Sequence, residues 1–238
     1  MLTPMASRVK REPEIVPALR YRGLTWIYDF VVGPTTRERA VKAAIVCHAR
    51  IEPGAQVLDD GTGTGSLAIM LKRAQPAATV VAIDADPQVL AIARRKGSVA
   101  TADVSWVEGM AQSLPFESKQ FDCVVTSLLL HHLDDAAKAE ALAEMRRVLR
   151  PGGMLVLADW DRPRGLLMRA AFLVVRTLDG WANTWAYAAG QLVPAIAKAG
   201  FANVAAVARF STCCGTLTVF TATNPAAGGG PNPNGERR

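Results

Sequence analysis

Three glycines at alternate positions, Gly61, Gly63 and Gly65, follow the apolar pair Val57-Leu58 and two aspartates, Asp59 and Asp60. About twenty residues on, Asp84 ends a second apolar run, Thr79 to Ile83. A glycine turn lets a ligand lie against bare peptide groups, and a carboxylate ending the next strand accepts hydrogen bonds from ribose hydroxyls. The chemistry on offer is nucleoside binding. The G-x-G-x-G spacing needs no substitution, while the dinucleotide spacing G-x-G-x-x-G/A is met with Ser66 as its last small residue, so spacing alone leaves a dinucleotide open. The plain structural alternatives are a turn that only joins strand to helix and, for Asp84, a cap on a helix starting near Pro87. A second chemical pair, His131-His132, follows an apolar run and offers general bases beside Asp and Tyr side chains. His132, where the chain begins to turn away, is the better catalytic candidate; a structural role is the ordinary alternative for both.

The elements that must position these groups are legible from periodicity. Strand-like runs at 56–59, 79–84, 104–108, 121–126 and 153–160 alternate with helical segments at 64–74, 87–96 and 136–149. That alternation predicts an α/β fold with a mostly parallel sheet covered on both faces. Pro87 is a helix-start signal, and Pro151-Gly152-Gly153 a helix stop before the fifth strand. Residues 1 to 20 read as irregular, and 24–49 as helical and placed as a cap over the site. Residues 161–190 form an apolar, Trp-rich helical insertion. A helix at 192–199 and strands at 204–210 and 216–222 follow, and 225–238, rich in Gly, Pro and Asn, reads as a disordered tail.

Composition narrows the partners. With 238 residues, half of them apolar, the chain suits one full-sized domain. The net charge of +6 is carried outside the central region: residues 1–50 hold nine Lys/Arg against four Asp/Glu, and 51–235 hold sixteen against sixteen. That core has no basic groove with interleaved aromatics, so nucleic acid is not the expected partner. No run is long and apolar enough to span a membrane; the basic amino-terminal segment leaves peripheral contact with anionic lipid open. Cys47, Cys123, Cys213 and Cys214 show no metal-ligand spacing, so no metal is expected, and a cytoplasmic protein with reduced thiols is the default.

Four further pieces occur in order: Val107 to Phe116, Phe121 to Leu133, Met145 to Gly153, and Met154 to Asp159. Together with the glycine turn, this series resembles the class I S-adenosylmethionine-dependent methyltransferases, in particular their small UbiE-like bacterial branch, over about residues 25–222. The resemblance implies a Rossmann-like class I methyltransferase sheet, mostly parallel with an antiparallel last strand, with helices on both faces and a helical cap. The implied organisation is an N-terminal extension and helical cap over 1–50, a methyltransferase domain over 51–224 with a cap insertion at 161–190, and a tail over 225–238.

The implied cofactor is S-adenosyl-L-methionine, with donor contacts at Tyr28, Asp59, Gly61, Thr62, Gly63, Asp84, Ala85, Met110, Ala111 and Ser127. Asp84 takes the ribose hydroxyls, the Gly61 to Gly65 turn packs against the amino-acid and ribose portion, Val107 to Gln112 borders adenine, and Tyr28 closes over the donor. Three positions depart from the family pattern. Met110 stands where an aspartate often binds the adenine amino group, Thr62 replaces a common cysteine, and Asp60 occupies a usually apolar position. Trp26, Tyr28, Phe30, Phe172, Trp181, Trp185 and Tyr187 lie outside the repeating strand and helix pattern and point to a small, hydrophobic or lipid-like acceptor; packing of cap helices is the alternative. A non-catalytic donor-binding protein and a nicotinamide-dependent oxidoreductase are the competing functions.

Overall fold

The computed structural model describes residues 37–161, 192–212 and 215–226. Seven strands form one sheet: β1 (Gln56–Asp60), β2 (Thr79–Asp84), β3 (Val104–Glu108), β4 (Phe121–Ser127), β5 (Leu149–Asp161), β6 (Ala202–Thr212) and β7 (Gly215–Thr223). Their order is β3-β2-β1-β4-β5-β7-β6. The first five strands pair in parallel, and β7 runs antiparallel between β5 and β6. The mostly parallel sheet with an antiparallel last strand is therefore present.

Near-continuous apolar strands belong in a sheet covered on both faces, and β1 shows how. Its successive residues Val57 and Leu58 point to opposite sides and enter different cores. On one face, α1 (Glu38–Ala49) and α2 (Ser66–Ala74) pack Val41, Ile45, Leu67 and Leu71 with Val57, Val125 and Val156. On the other, α4 (Asp135–Val148) and α5 (Leu192–Lys198) pack Leu142, Met145 and Ile196 with Leu58, Val124 and Leu155. Each such side chain contributes about 1.5–3 kcal/mol by leaving water.

Helix α3 (Pro87–Val99) starts where Asp86 accepts from the N–H groups of Gln88 (2.8 Å) and Val89 (3.4 Å). Proline at the first helical position adds a pre-set φ. The cap is thus Asp86, and the capping alternative for Asp84 falls away.

One boundary changes, and one expected element is described only in part. The described part of the 24–49 stretch is α1, and its Val41, Ile45 and Ala49 are buried against the sheet layer. Spacing of four residues puts these three on one face, so the buried face of this helix packs on the sheet. Strand β5 also begins earlier than 153, at Leu149, and carries Pro151-Gly152-Gly153 within it. Pairing with β4 is irregular between Phe121 and Cys123, where a residue lacking an N–H is tolerated. Gly152 takes φ 81° and donates its N–H to the Asn224 carbonyl at 2.7 Å. Residues 24–36 and 162–190 of the expected caps, Tyr28, Cys213, Cys214 and the tail from 227 lie outside the described residues.

Candidate active site

Strand order reverses between β1's two neighbours, β2 and β4, and such a reversal opens a crevice at the carboxyl ends of the strands. The glycine turn lies there. Gly61 and Thr62 both donate their N–H groups to the Ile83 carbonyl, at 3.0 and 2.9 Å, which ties the turn to β2. Gly63 has φ 56°, and a Cβ added there would meet nothing within 4 Å, so its peptide is open to a ligand. Gly65 has φ 80°, and its added Cβ would stand 2.6 Å from Trp106. One glycine is needed for access and the other for packing. Leu129 covers Gly61, its Cδ1 lying 2.9 Å from where a Cβ would be.

Three carboxylates surround this turn. Asp84 accepts the Gly63 N–H on Oδ2 at 2.8 Å and the Asp86 N–H on Oδ1 at 3.0 Å. Desolvation raises its pKa, while those backbone donors pull it down. A carboxylate has about four lone-pair sites, so Asp84 keeps acceptor capacity for a diol. Asp59 is 1% exposed and accepts the Thr62 hydroxyl at 2.6 Å. Burial pushes it up to about 6, against the Thr62 hydroxyl and Lys42. Asp60, also 1% exposed, is pushed up to about 8 by burial, with Asp59, Asp84 and Glu144 adding to the rise. Its Oδ2 has no hydrogen-bond partner among the described residues.

The segment between β3 and β4 closes one side. Gly109 donates its N–H to the Asp84 carbonyl at 3.0 Å, and Ser113 donates to the Met110 carbonyl at 3.0 Å, forming a tight turn with Ala111 buried. This turn is anchored to α4. Glu144 accepts the Leu114 N–H at 2.8 Å, and Arg147 donates to the carbonyls of Leu114 (2.9 Å) and Phe116 (2.8 Å). Arg147 also pairs with Glu144 at 2.6 Å, and the two hold each other charged: Glu144 is lowered and Arg147 raised.

After β4 the chain turns at Leu128, φ 59°, and enters a short 3₁₀ turn, Leu130–His132. His131 Nδ1 lies 3.0 Å from Asp159 Oδ1, and the His131 N–H donates to Oδ2 at 3.2 Å. The His132 ring lies against that of His131, 3.8 Å between centroids and tilted by 41°. His132 keeps solvent exposure, but packing around its ring, with His131 beside it, pushes it down to about 4.

Of the residues expected to contact a donor, Asp59, Gly61, Thr62, Gly63, Asp84, Ala85, Met110, Ala111 and Ser127 all lie at or just beyond the carboxyl ends of β1 to β4. Sequence reasoning assigned no role to Asp159, to Leu129 over Gly61, or to the Glu144–Arg147 clamp. The signal available for Asp159 was the adjacency of the fourth and fifth strands, which places their ends together. Among the described residues no cluster of His, Cys, Asp or Glu is arranged to hold a metal. The site fits a nucleoside such as S-adenosylmethionine: Asp84, at the end of β2, has acceptor sites to spare for a ribose diol, and nothing crowds Gly63, which leaves room for the ligand.

Residues 57–153 match the model of a methyltransferase domain. The chain is 39% identical over 163 residues to the demethylmenaquinone methyltransferase of Thermus thermophilus, covering 67% of this chain and 70% of that protein. It is 30% identical over 158 residues to the ubiquinone/menaquinone biosynthesis C-methyltransferase UbiE of Geobacter sulfurreducens, covering 65% and 59% respectively. In fold it resembles phosphoethanolamine N-methyltransferase 2 of Haemonchus contortus, solved with S-adenosyl-L-methionine: TM-score 0.66, 18% identity, 84% of this chain and 56% of that one. The chain therefore belongs to the class I S-adenosylmethionine-dependent methyltransferases, in their UbiE-like branch, and its methyl donor is S-adenosylmethionine.

Proposed function

We propose that this methyltransferase acts on a small, hydrophobic, lipid-like acceptor of the aromatic quinol class. The observation that carries the reading is the 39% identity to an enzyme named for demethylmenaquinone, extending over two thirds of the chain. The aromatic residues concentrated in 24–36 and 162–190 support an apolar acceptor pocket. Among the described residues no helix is long and apolar enough to cross a membrane. We further propose a cytoplasmic enzyme that meets such an acceptor from the membrane surface, with its basic amino-terminal segment drawn to anionic lipid.

When bound, S-adenosylmethionine would supply a methyl group activated by its sulfonium, for transfer to a nucleophilic atom of the acceptor. The protein's part is alignment in a site with little water. Asp84 would hold the ribose diol, with Ala85 beside it. Gly61, Thr62 and Gly63 would lie along the amino-acid portion, with Asp59 fixing Thr62. Met110 and Ala111 would border adenine, Ser127 the sulfonium, and Tyr28 the outer side of the donor. With Asp60 neutral, Asp59 and Asp84 are the carboxylates that would favour the cationic donor over its neutral-sulfur product and so assist product release.

The test is methyl transfer from labelled S-adenosylmethionine to demethylmenaquinol in detergent, with RNA and a protein mixture as parallel acceptors. Label in the quinol alone is expected. Label only in nucleic acid or protein would refute the reading.

A further inference from the structure

Helix α3 buries Leu90, Ala93 and Gly97, a stripe at helical spacing. A second stripe, Ile92, Arg95, Lys96 and Val99, falls at i, i+3, i+4 and i+7 and lines a groove of about 440 Å³. Arg73, at the end of α2, and Ala100 complete its lining. The outward side of a surface helix is ordinarily polar, yet Ile92 is 37% and Val99 82% exposed. Among the described residues only Val193 joins them as a large apolar side chain left in water.

The cations around this pair meet no carboxylate on their own helices. Helices α2 and α3 carry Lys72, Arg73, Arg94, Arg95 and Lys96 and no Asp or Glu. Lys72 and Arg94 donate to the Ala78 and Trp106 carbonyls, at 2.7 and 3.4 Å, and Lys96 donates to Thr64 Oγ1 at 2.7 Å. Arg73 and Arg95 are exposed and make no hydrogen bond or ion pair among the described residues. A cation in a last turn offsets the helix macrodipole, which gives Arg73 and Lys96 an ordinary role. Arg95, before the last turn, and Val99 have no such account.

A soluble anion needs the cations alone, and nucleic acid calls for aromatic side chains to stack on bases, which this groove lacks. Apolar side chains exposed between cations suit the boundary between lipid headgroups and acyl chains, where long basic side chains reach phosphates and apolar ones sit deeper. We propose that the groove between α2 and α3 docks the protein on an anionic phospholipid surface, with Arg73 and Arg95 on lipid phosphates and Ile92 and Val99 beneath them. Lys96 joins the groove to the donor turn through Thr64, so docking on this face holds the donor site close to the lipid. The proposal rests on the reading that the enzyme meets its acceptor at a membrane surface, and it names a folded face beyond the amino-terminal segment.

The test is flotation of the full chain with phosphatidylcholine vesicles, with and without phosphatidylglycerol, over a range of salt. Wild type should bind the anionic vesicles and leave them as salt rises. Arg73→Gln/Arg95→Gln should weaken binding about fivefold per cation, about 25-fold for the pair, with Tm and donor Kd unchanged. Arg73→Lys/Arg95→Lys should restore it, and Val99→Ser should cost about threefold or more through lost apolar contact. A glutamine pair that binds as tightly as wild type, or whose loss follows a fall in Tm, overturns the proposal alone. Unchanged binding by Val99→Ser overturns it too, because the face would then read charge only, as an acidic protein or a free anion would use it. A wild type with no preference for anionic vesicles overturns the membrane-surface reading along with the proposal, while quinol methylation in detergent tests the acceptor separately.

Discussion

Asp60 at the end of β1 lies directly across the parallel ladder from Thr126 of β4, and each carries a buried side-chain oxygen with no hydrogen-bond partner among the described residues. Both occupy the sheet face otherwise filled by Leu58 and Val124. A carboxyl there is tolerated because it stays neutral: its proton is held up to about 8 in the folded protein, against 3.8 for a free side chain. Between those values the folded state binds the extra proton, so stability falls as pH rises from about 4 to about 8, by at most about 1.4 kcal/mol per unit. Asp59 adds to the same trend up to about 6.

Asp60→Asn keeps the shape and removes the titration. Its Tm should exceed that of wild type at pH 8 and approach it at pH 5 in thermal scans across that range. Parallel pH profiles for the two proteins would show that Asp60 is ionised and otherwise compensated.

Gly63 and Gly65 should separate in experiment. Gly65→Ala drives a methyl group into Trp106 at 2.6 Å and forces φ 80° on a non-glycine residue, so a loss of roughly 1–3 kcal/mol in denaturant stability is expected. Gly63→Ala meets no neighbour and should cost only about 1–2 kcal/mol for its left-handed φ, while weakening donor binding out of proportion to that loss. Equal donor affinity in Gly63→Ala and wild type would show that the ligand does not approach this peptide.

Arg147 holds the 113–118 segment through two backbone carbonyls and Glu144. Its side chain is about one third exposed, which limits the effect of removing it. Arg147→Met, which keeps most of the side-chain stem, should destabilise the protein by about 1–2 kcal/mol, and amide exchange should speed up around Leu114. Unchanged exchange at Leu114 would mean that Glu144 alone fixes the segment.

How far the sequence reveals this depends on distance along the chain. The glycine turn, Asp84 and the first four strands are legible because each is local: apolar runs bounded by turn residues, with one carboxylate at a fixed spacing. The assignment of the helix cap required structure, because Asp84 and Asp86 both precede Pro87 and only geometry gives the cap to Asp86. The start of β5 was obscured because Pro151-Gly152-Gly153 reads as a break, while irregular pairing with β4 carries it inside the strand. His131 and Asp159 are 28 residues apart, and Leu114 and Glu144 are 30 apart. These pairs exist only through strand order and helix packing, which local periodicity does not encode.

The central claim is that S-adenosylmethionine is held at the β1 turn by Asp84. Calorimetric titration of the full chain with S-adenosylmethionine, S-adenosylhomocysteine and NADH, repeated on Asp84→Ala, tests it most directly. We predict binding of both sulfur nucleosides on the order of micromolar, no heat with NADH, and a loss of about 10–100-fold or more in the variant, as expected for hydrogen bonds to a charged group. Binding that Asp84→Ala leaves intact, or silence toward both sulfur nucleosides, would contradict the account.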